Sequence, residues 1–267
     1  MAAEPRIAVE VCVDSLDSAS RAVNGGADRL EVCANLGLGG GTTPSVGLVR
    51  AIQRAFPDIP LMAMVRPRTG DFLYSASEIK VMFEDIHTLK EAGVAGLVFG
   101  VLNGDGTVDV QQTLALVEAA KPLQVCFHRA FDMTRDAEEA LTAIFGIPGV
   151  TRILTSGHGP SAPSSLPTLQ RLFQRTQTSE NATPCILPGS GISPKTIRTV
   201  LDALLPFGLS EVHMSGGRWR SGEMTYRPEG MGMGVGGAGE WGVWETDEAA
   251  VREVRLAVDK ETTSGQG

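Results

Sequence analysis

Two interleaved repeats constrain this chain more than any other feature of its sequence. The first follows a helix-ending glycine. Gly26-Ala-Asp-Arg-Leu-Glu-Val-Cys33, Gly93-Val-Ala-Gly-Leu-Val-Phe-Gly100, Gly149-Val-Thr-Arg-Ile-Leu-Thr-Ser156 and Gly208-Leu-Ser-Glu-Val-His-Met-Ser215 lie over one another, with glycines 67, 56 and 59 residues apart. The second begins at proline: Pro60 to Arg66, Pro122 to His128 and Pro184 to Ser190 are spaced by 62 and 62, and Pro5 to Cys12 joins them with one residue of slippage. Interleaved, the two series mark eight β-type runs at roughly 30 residues per strand–helix unit. An open doubly wound sheet has no reason to keep so even a period, so the repeat predicts a single closed (β/α)8 TIM barrel of the α/β class.

The expected strands are 7–13, 28–33, 60–66, 95–100, 123–128, 150–155, 183–188 and 209–214. Between them, Ser75 and Glu78 form a capping box ahead of Ile79, Met82, Phe83, Ile86 and Leu89 at helical spacing, and Gly93 closes that helix. Ser193-Pro194 reads as the N-cap and first residue of another helix. Residues 216–244, with Met231-Gly-Met-Gly-Val-Gly-Gly-Ala-Gly239, read as a flexible Gly-rich insertion after strand 8. A last helix is expected at about 246–258 and a disordered tail from about Lys260. All 267 residues then form one domain, a size typical of one such barrel.

Composition narrows the function classes. A formal net charge of −8 disfavours a phosphate backbone as partner. No apolar run approaches the ~18 residues of a membrane helix, and the short polar stretch Met1 to Arg6, without an apolar h-region, does not read as a signal peptide. Four cysteines with no CxxC pair read as reduced thiols of a cytoplasmic protein, and for the same reason the sequon Asn181-Ala182-Thr183 reads as unused. A homo-oligomer is compatible with the sequence, although no apolar stripe marks an interface.

Strand alternation sorts the repeats into two faces. Leu30, Leu97, Ile153 and Val212, then Val32, Phe99 and Met214, belong to the face that meets the helices. Glu31, Val98, Leu154 and His213 then point into the barrel, with Cys33, Gly100, Ser156 and Ser215 at its C-terminal rim. Barrel interiors are normally filled by branched aliphatics, so Glu31 and His213 need a reason. Strand 1 repeats the pattern: Glu10-Val11-Cys12 matches Glu31-Val32-Cys33. The expected candidate site is therefore an arc of two carboxylates, two thiols and an imidazole on three adjacent strands. Cys126 and Cys185 read as core residues, and His87 and His158 as solvated surface residues.

Several segments give the chain a family likeness: Glu10-Val-Cys-Val-Asp14, Gly26 to Asn35, Gly41-Thr-Thr-Pro-Ser45, Val65-Arg-Pro-Arg68 with Gly70-Asp-Phe-Leu-Tyr74, Phe127-His-Arg-Ala-Phe-Asp132, Ile153 to Gly157 and Val212-His-Met-Ser215. Over about residues 6–220 the sequence resembles the CutC family of copper homeostasis proteins. The likeness implies a TIM barrel and copper handling in the cytoplasm. The Gly-rich stretch after Arg220 departs from the family pattern. Under this reading Cys12 and Cys33, with His213, are the expected ligands, because thiolate and imidazole suit Cu(I) better than hard cations do.

The residues also support a second reading, a barrel enzyme acting on a small anionic or phosphorylated substrate by acid–base chemistry. Arg66, Arg68, Arg129 and Ser156 stand where strands end, the usual place for anion binding in a barrel. Gly189-Ser190-Gly191 and Ser215 lie on the loops after strands 7 and 8, where many barrels hold phosphate. Glu10, Glu31 and His128 would then move protons. The alternative for the two carboxylates is a structural one, as buried partners of Arg66 or of other polar groups in the barrel.

Overall fold

The computed structural model describes residues 6–178 and 184–264; Pro5, the sequon at Asn181–Thr183 and the end of the expected tail lie outside it. Eight strands, β1 (Ala8–Val13), β2 (Arg29–Val32), β3 (Leu61–Met64), β4 (Gly96–Phe99), β5 (Gln124–Phe127), β6 (Val150–Thr155), β7 (Cys185–Pro188) and β8 (Glu211–Met214), form one sheet in the order β7-β6-β5-β4-β3-β2-β1-β8. Its ladders are parallel. β7 and β8 also touch, so the sheet curls into a nearly closed barrel. Eight helices surround it: α1 (Leu16–Asn24), α2 (Val46–Ala55), α3 (Ala76–Glu91), α4 (Val110–Ala120), α5 (Ala137–Phe145), α6 (Leu166–Gln177), α7 (Ile197–Leu204) and α8 (Glu248–Ser264).

Local chemistry explains where the helices begin. Ser15, Ser45, Ser75, Asp109 and Asp136 each accept a backbone N–H three residues on, satisfying a donor the first turn leaves unpaired. The capping box at Ser75 and Glu78 is present, and Gly93 follows α3 at φ 80°. The expected cap at Ser193 is not: residues 193–196 form a turn in which the Ser193 N–H is taken by Thr196 Oγ1, and α7 starts at Ile197. The last helix runs to Ser264, beyond the point where a disordered tail was expected.

The Gly-rich insertion is not simply a loop. Its ends form an antiparallel ribbon, β9 (Gly217–Ser221) with β10 (Gly242–Thr246), in which Trp219 lies opposite Trp244 with ring centroids 5.4 Å apart. Cross-strand aromatic pairing holds the ribbon where composition alone suggested flexibility.

The two faces of the sheet separate as alternation requires. Leu30, Leu97, Ile153, Val212, Val32, Phe99 and Met214 are buried in the large core between strands and helices. Cys12, Cys33, Met62, Met64, Val98, Cys126, Leu154 and Leu187 pack together inside the barrel. Cys185, expected in the core, is half-buried, with Sγ 3.3 Å from Ser210 Oγ.

Register corrects one sequence expectation. Glu10 pairs with Arg29 and with His213, whereas Cys12 pairs with Glu31. The two Glu-Val-Cys triplets are thus staggered by two residues along the barrel, because closure requires neighbouring strands to shear past one another. Cys33 consequently stands one layer above Cys12.

Below these layers, at the N-terminal end, lies an ionic network. Buried Arg29 donates from Nε to Glu10 Oε2 at 2.5 Å and from Nη2 to Glu211 Oε2 at 2.6 Å, and Arg152 donates to the same Glu211 oxygen at 2.8 Å. These bonds join β1, β2, β6 and β8 across the barrel floor. Removing one partner of a buried ion pair costs ~3–5 kcal/mol, since the others keep their desolvation penalty. Arg29→Met is therefore expected to lower unfolding stability by about that amount in urea titrations. A loss within the ~1 kcal/mol of a surface ion pair would show that the bridge does not hold the floor together.

Candidate functional site

Above the network a cavity of about 840 Å³ opens at the C-terminal ends of the strands. Its floor includes Cys12 from β1, Glu31 from β2 and His213 from β8. Each of these three offers a potential ligand atom, and the three atoms lie within 4.8 Å of one another. Strand alternation turns all three side chains inward, and shear places Cys12 level with Glu31.

His213 is held from below. Its Nδ1 lies 2.7 Å from Glu10 Oε1, and its Nε2 lies 4.0 Å from Glu31 Oε2. Burial opposes ionisation of Glu10, but the hydrogen bond from His213 and the charge of Arg29 outweigh it and bring its pKa down to about 2. Burial also works against a charged His213, yet the surrounding acidic groups, Glu31 foremost, raise its pKa well above the ordinary value. Glu31 moves the other way from Glu10: burial raises its pKa, and the nearby Glu10 carboxylate adds to that. The Cys12 and Cys33 thiols are both pushed up by burial. Cys33 Sγ donates to Glu31 Oε2 at 3.4 Å, so the second thiol reaches the cluster through the carboxylate.

The rim residues divide. Arg66, from the end of β3, is buried; its guanidinium donates to the carbonyls of Gly41 at 2.9 Å and Gly70 at 3.0 Å, and it lies over the Phe72 ring at 4.9 Å. It does not pair with Glu10 or Glu31, whose basic partners are Arg29 and His213. His128, after β5, is buried edge-on to the same Phe72 ring at 4.8 Å. Arg68 is instead taken up by Glu78 at 2.5 Å and Asp71 at 3.0 Å, outside the cavity wall. Arg129 lines the cavity but pairs with Asp132 at 2.8 Å and reaches Ser156 Oγ at 3.2 Å. Ser156 donates its backbone N–H to Asp132 and its hydroxyl to the Gly159 carbonyl.

The expected phosphate loops are largely committed to the fold. Ser190, Gly191 and Ser215 reach the cavity, but the Gly189 N–H is bonded to Thr155 O and Ser190 Oγ donates to Pro160 O. His87 is exposed beside Glu91, as expected. His158, expected at the surface, is half-buried against Phe131 with Nε2 3.1 Å from Thr134 Oγ1.

Sequence reading missed Arg29, Asp132, Phe72 and Trp244. Arg29 was within reach, because alternation places it on the inward face two residues before Glu31. Trp244 lines the cavity although it lies 31 residues beyond His213; the β9–β10 ribbon brings it there, and no local pattern announces it.

A nearly closed parallel barrel carrying a thiol, an imidazole and a carboxylate at its floor is a TIM-barrel protein with a potential soft-metal site at the end where such barrels work. The family is shown by sequence: the CutC family model matches residues 7–218, and this chain belongs to that family. It is 42% identical over 252 residues to a CutC family protein of Chromobacterium violaceum, covering 94% of this chain and 98% of the relative. It is 40% identical over 245 residues to the human copper homeostasis protein cutC homolog, covering 91% and 86%. A crystal structure of a CutC protein from Streptococcus agalactiae superposes with TM-score 0.71 at 26% identity, covering 78% of this chain and 98% of that one. Among the described residues, no helix is long and apolar enough to cross a membrane.

His128 provides a test of the electrostatics. Burial, helped by the charge of Arg66, lowers its pKa to about 3. Its Nδ1 accepts the Ala130 N–H at 3.2 Å, so the proton of the neutral ring sits on Nε2. The unfolded chain protonates this histidine near pH ~6.5 and the folded chain only near 3, so acid favours unfolding across that window. The His128 contribution to stability is expected to be lost as pH drops from ~6.5 to about 3. His128→Asn, which keeps an acceptor for the Ala130 N–H but does not titrate, should show a flatter profile in pH-dependent thermal unfolding. Parallel profiles would mean that His128 is not held neutral.

Proposed function

We propose that this protein takes part in copper homeostasis in the cytoplasm and holds Cu(I) at the floor of its barrel mouth, through the Cys12 thiolate and the His213 imidazole, with Glu31 and Cys33 completing the donor set. The observation that carries the reading is the buried cluster of Cys12, Glu31 and His213, three ligand atoms within 4.8 Å of one another. The donor chemistry fits: thiolate and imidazole are soft enough for Cu(I). Glu31 Oε1 is buried with no hydrogen-bond partner among the described residues, so the carboxylate has capacity to spare. The names carried by relatives point in the same direction. Copper here is cargo, and no chemical step is assigned to it.

In this reading Glu10 is a positioning residue. A carboxylate on the distal nitrogen of a metal-bound histidine fixes the ring and raises its basicity, and Glu10 stands at that nitrogen. Competition titrations of Cu(I) against bicinchoninate are expected to show a large loss of affinity in Cys12→Ser. A ~10–100-fold loss is expected in Glu10→Gln, which keeps a hydrogen-bond acceptor for His213. Comparing Cys33→Ser with Glu31→Gln shows which of them supplies the third donor. Unchanged uptake by both Cys12→Ser and Cys33→Ser would remove the proposal.

A further inference from the structure

We propose that the Gly-rich loop carried by the β9–β10 ribbon binds a Cu(I) ion of its own, through the thioethers of Met231 and Met233 and the carboxylate of Glu240. The inference extends the copper reading and rests on it for its biological sense, but these three donors share no residue with the cavity floor. They also lie beyond residue 218, where the match to the family model ends.

The position of Glu240 carries the inference. Its Oε2 accepts the Gly236 N–H at 2.9 Å, which fixes the carboxylate over the loop. Its Oε1 rests against Gly232, so closely that a Cβ at that position would collide with it. Gly232 is the residue between Met231 and Met233, so a carboxylate oxygen is held at the middle of a Met-Gly-Met segment. Among the described residues that oxygen takes no hydrogen bond and Glu240 makes no ion pair; the side chain is half-buried, and Oε1 stays within reach of solvent. Both thioethers are open to an incoming ion, Met231 at 63% and Met233 at 99% exposure. A methionine side chain is unbranched and turns about three bonds, so its sulfur can fold back beside its own backbone. The loop is fastened near the barrel mouth: the Trp219 ring packs against Gly239, next to Glu240, and against Gly37, next to Leu36 of the cavity wall.

The donor set selects the ion. Two soft, neutral sulfurs suit Cu(I), and one carboxylate balances its single charge. Calcium and magnesium take shells made of oxygen, and zinc is served by thiolate, imidazole or carboxylate. A thioether has no proton to lose, so acid does not compete for this site as it does for a thiol.

Methionine ε-methyl NMR of the full-length protein, titrated without oxygen with Cu(I) as its acetonitrile complex, tests this. The Met231 and Met233 signals, assigned with Met231→Leu and Met233→Leu, are expected to shift together and saturate with a Kd of ~10 μM or tighter. Met133, exposed to a similar degree at 65%, should shift far less, and Zn(II) should move neither loop signal. Glu240→Gln, which still accepts the Gly236 N–H, should weaken the response roughly tenfold. The loop signals should keep their response from pH about 7.5 to about 5.5, where Glu240 remains ionised. The proposal is overturned if the two signals do not saturate, if Met133 follows Cu(I) with the same dependence, or if Glu240→Gln binds as tightly as the unaltered chain. Cys12→Ser should leave the loop signals unchanged, and the methionine variants should leave the bicinchoninate competition unchanged. Failure of the loop site is therefore seen apart from failure of the floor site.

Discussion

Glu10 is the hinge of this structure's electrostatics. One of its oxygens accepts from Arg29 and the other meets His213, so a single buried carboxylate couples the ionic floor to the cavity above it. An isolated buried carboxylate would protonate; the cations on either side keep this one ionised. Its hydrogen bond in turn helps Glu31 to raise the pKa of His213, and its charge raises that of Glu31. Two glutamates of similar local sequence therefore carry opposite shifts: Glu10 is hydrogen-bonded by both Arg29 and His213, whereas for Glu31 burial and the Glu10 charge outweigh the more distant His213.

That separation gives the barrel a division of labour along its axis. The N-terminal end is closed by Arg29, Arg152 and Glu211, each occupied with the others. The middle is filled by sulfur and aliphatic groups. The C-terminal end keeps buried polar atoms that the protein does not satisfy. The ionic network thus lies below and the cavity above, the ends at which this architecture usually keeps stability and function respectively. The copper reading draws on the floor of the cavity, where Cys12, Glu31 and His213 meet.

Much of this was legible in the sequence. The even strand–helix period gave the closed barrel, and alternation assigned the faces without error at the positions it covered, since side-chain direction in a strand is a local property. Cys12, Glu31 and His213 were all recognised as inward. They were also grouped in one arc with Glu10 and Cys33; their relative level was not recognised, because the matching Glu-Val-Cys triplets invited a level pairing and shear set them two residues apart. Arg66 looked like a partner for the barrel carboxylates, but loop carbonyls from Gly41 and Gly70 reached it first. The stretch after β8 looked structureless by composition, yet Trp219 and Trp244, 25 positions apart, pair to make a ribbon.

The sequence by itself determined the number of strands, their inward and outward faces and the kinds of donor available, because periodicity and residue chemistry act over a few positions. Only the tertiary structure decided which donors meet, which cations are neutralised and which polar atoms are left over. Those outcomes depend on shear, strand order and loop closure, and each sums contacts between segments up to two hundred residues apart, as Glu10 and His213 are.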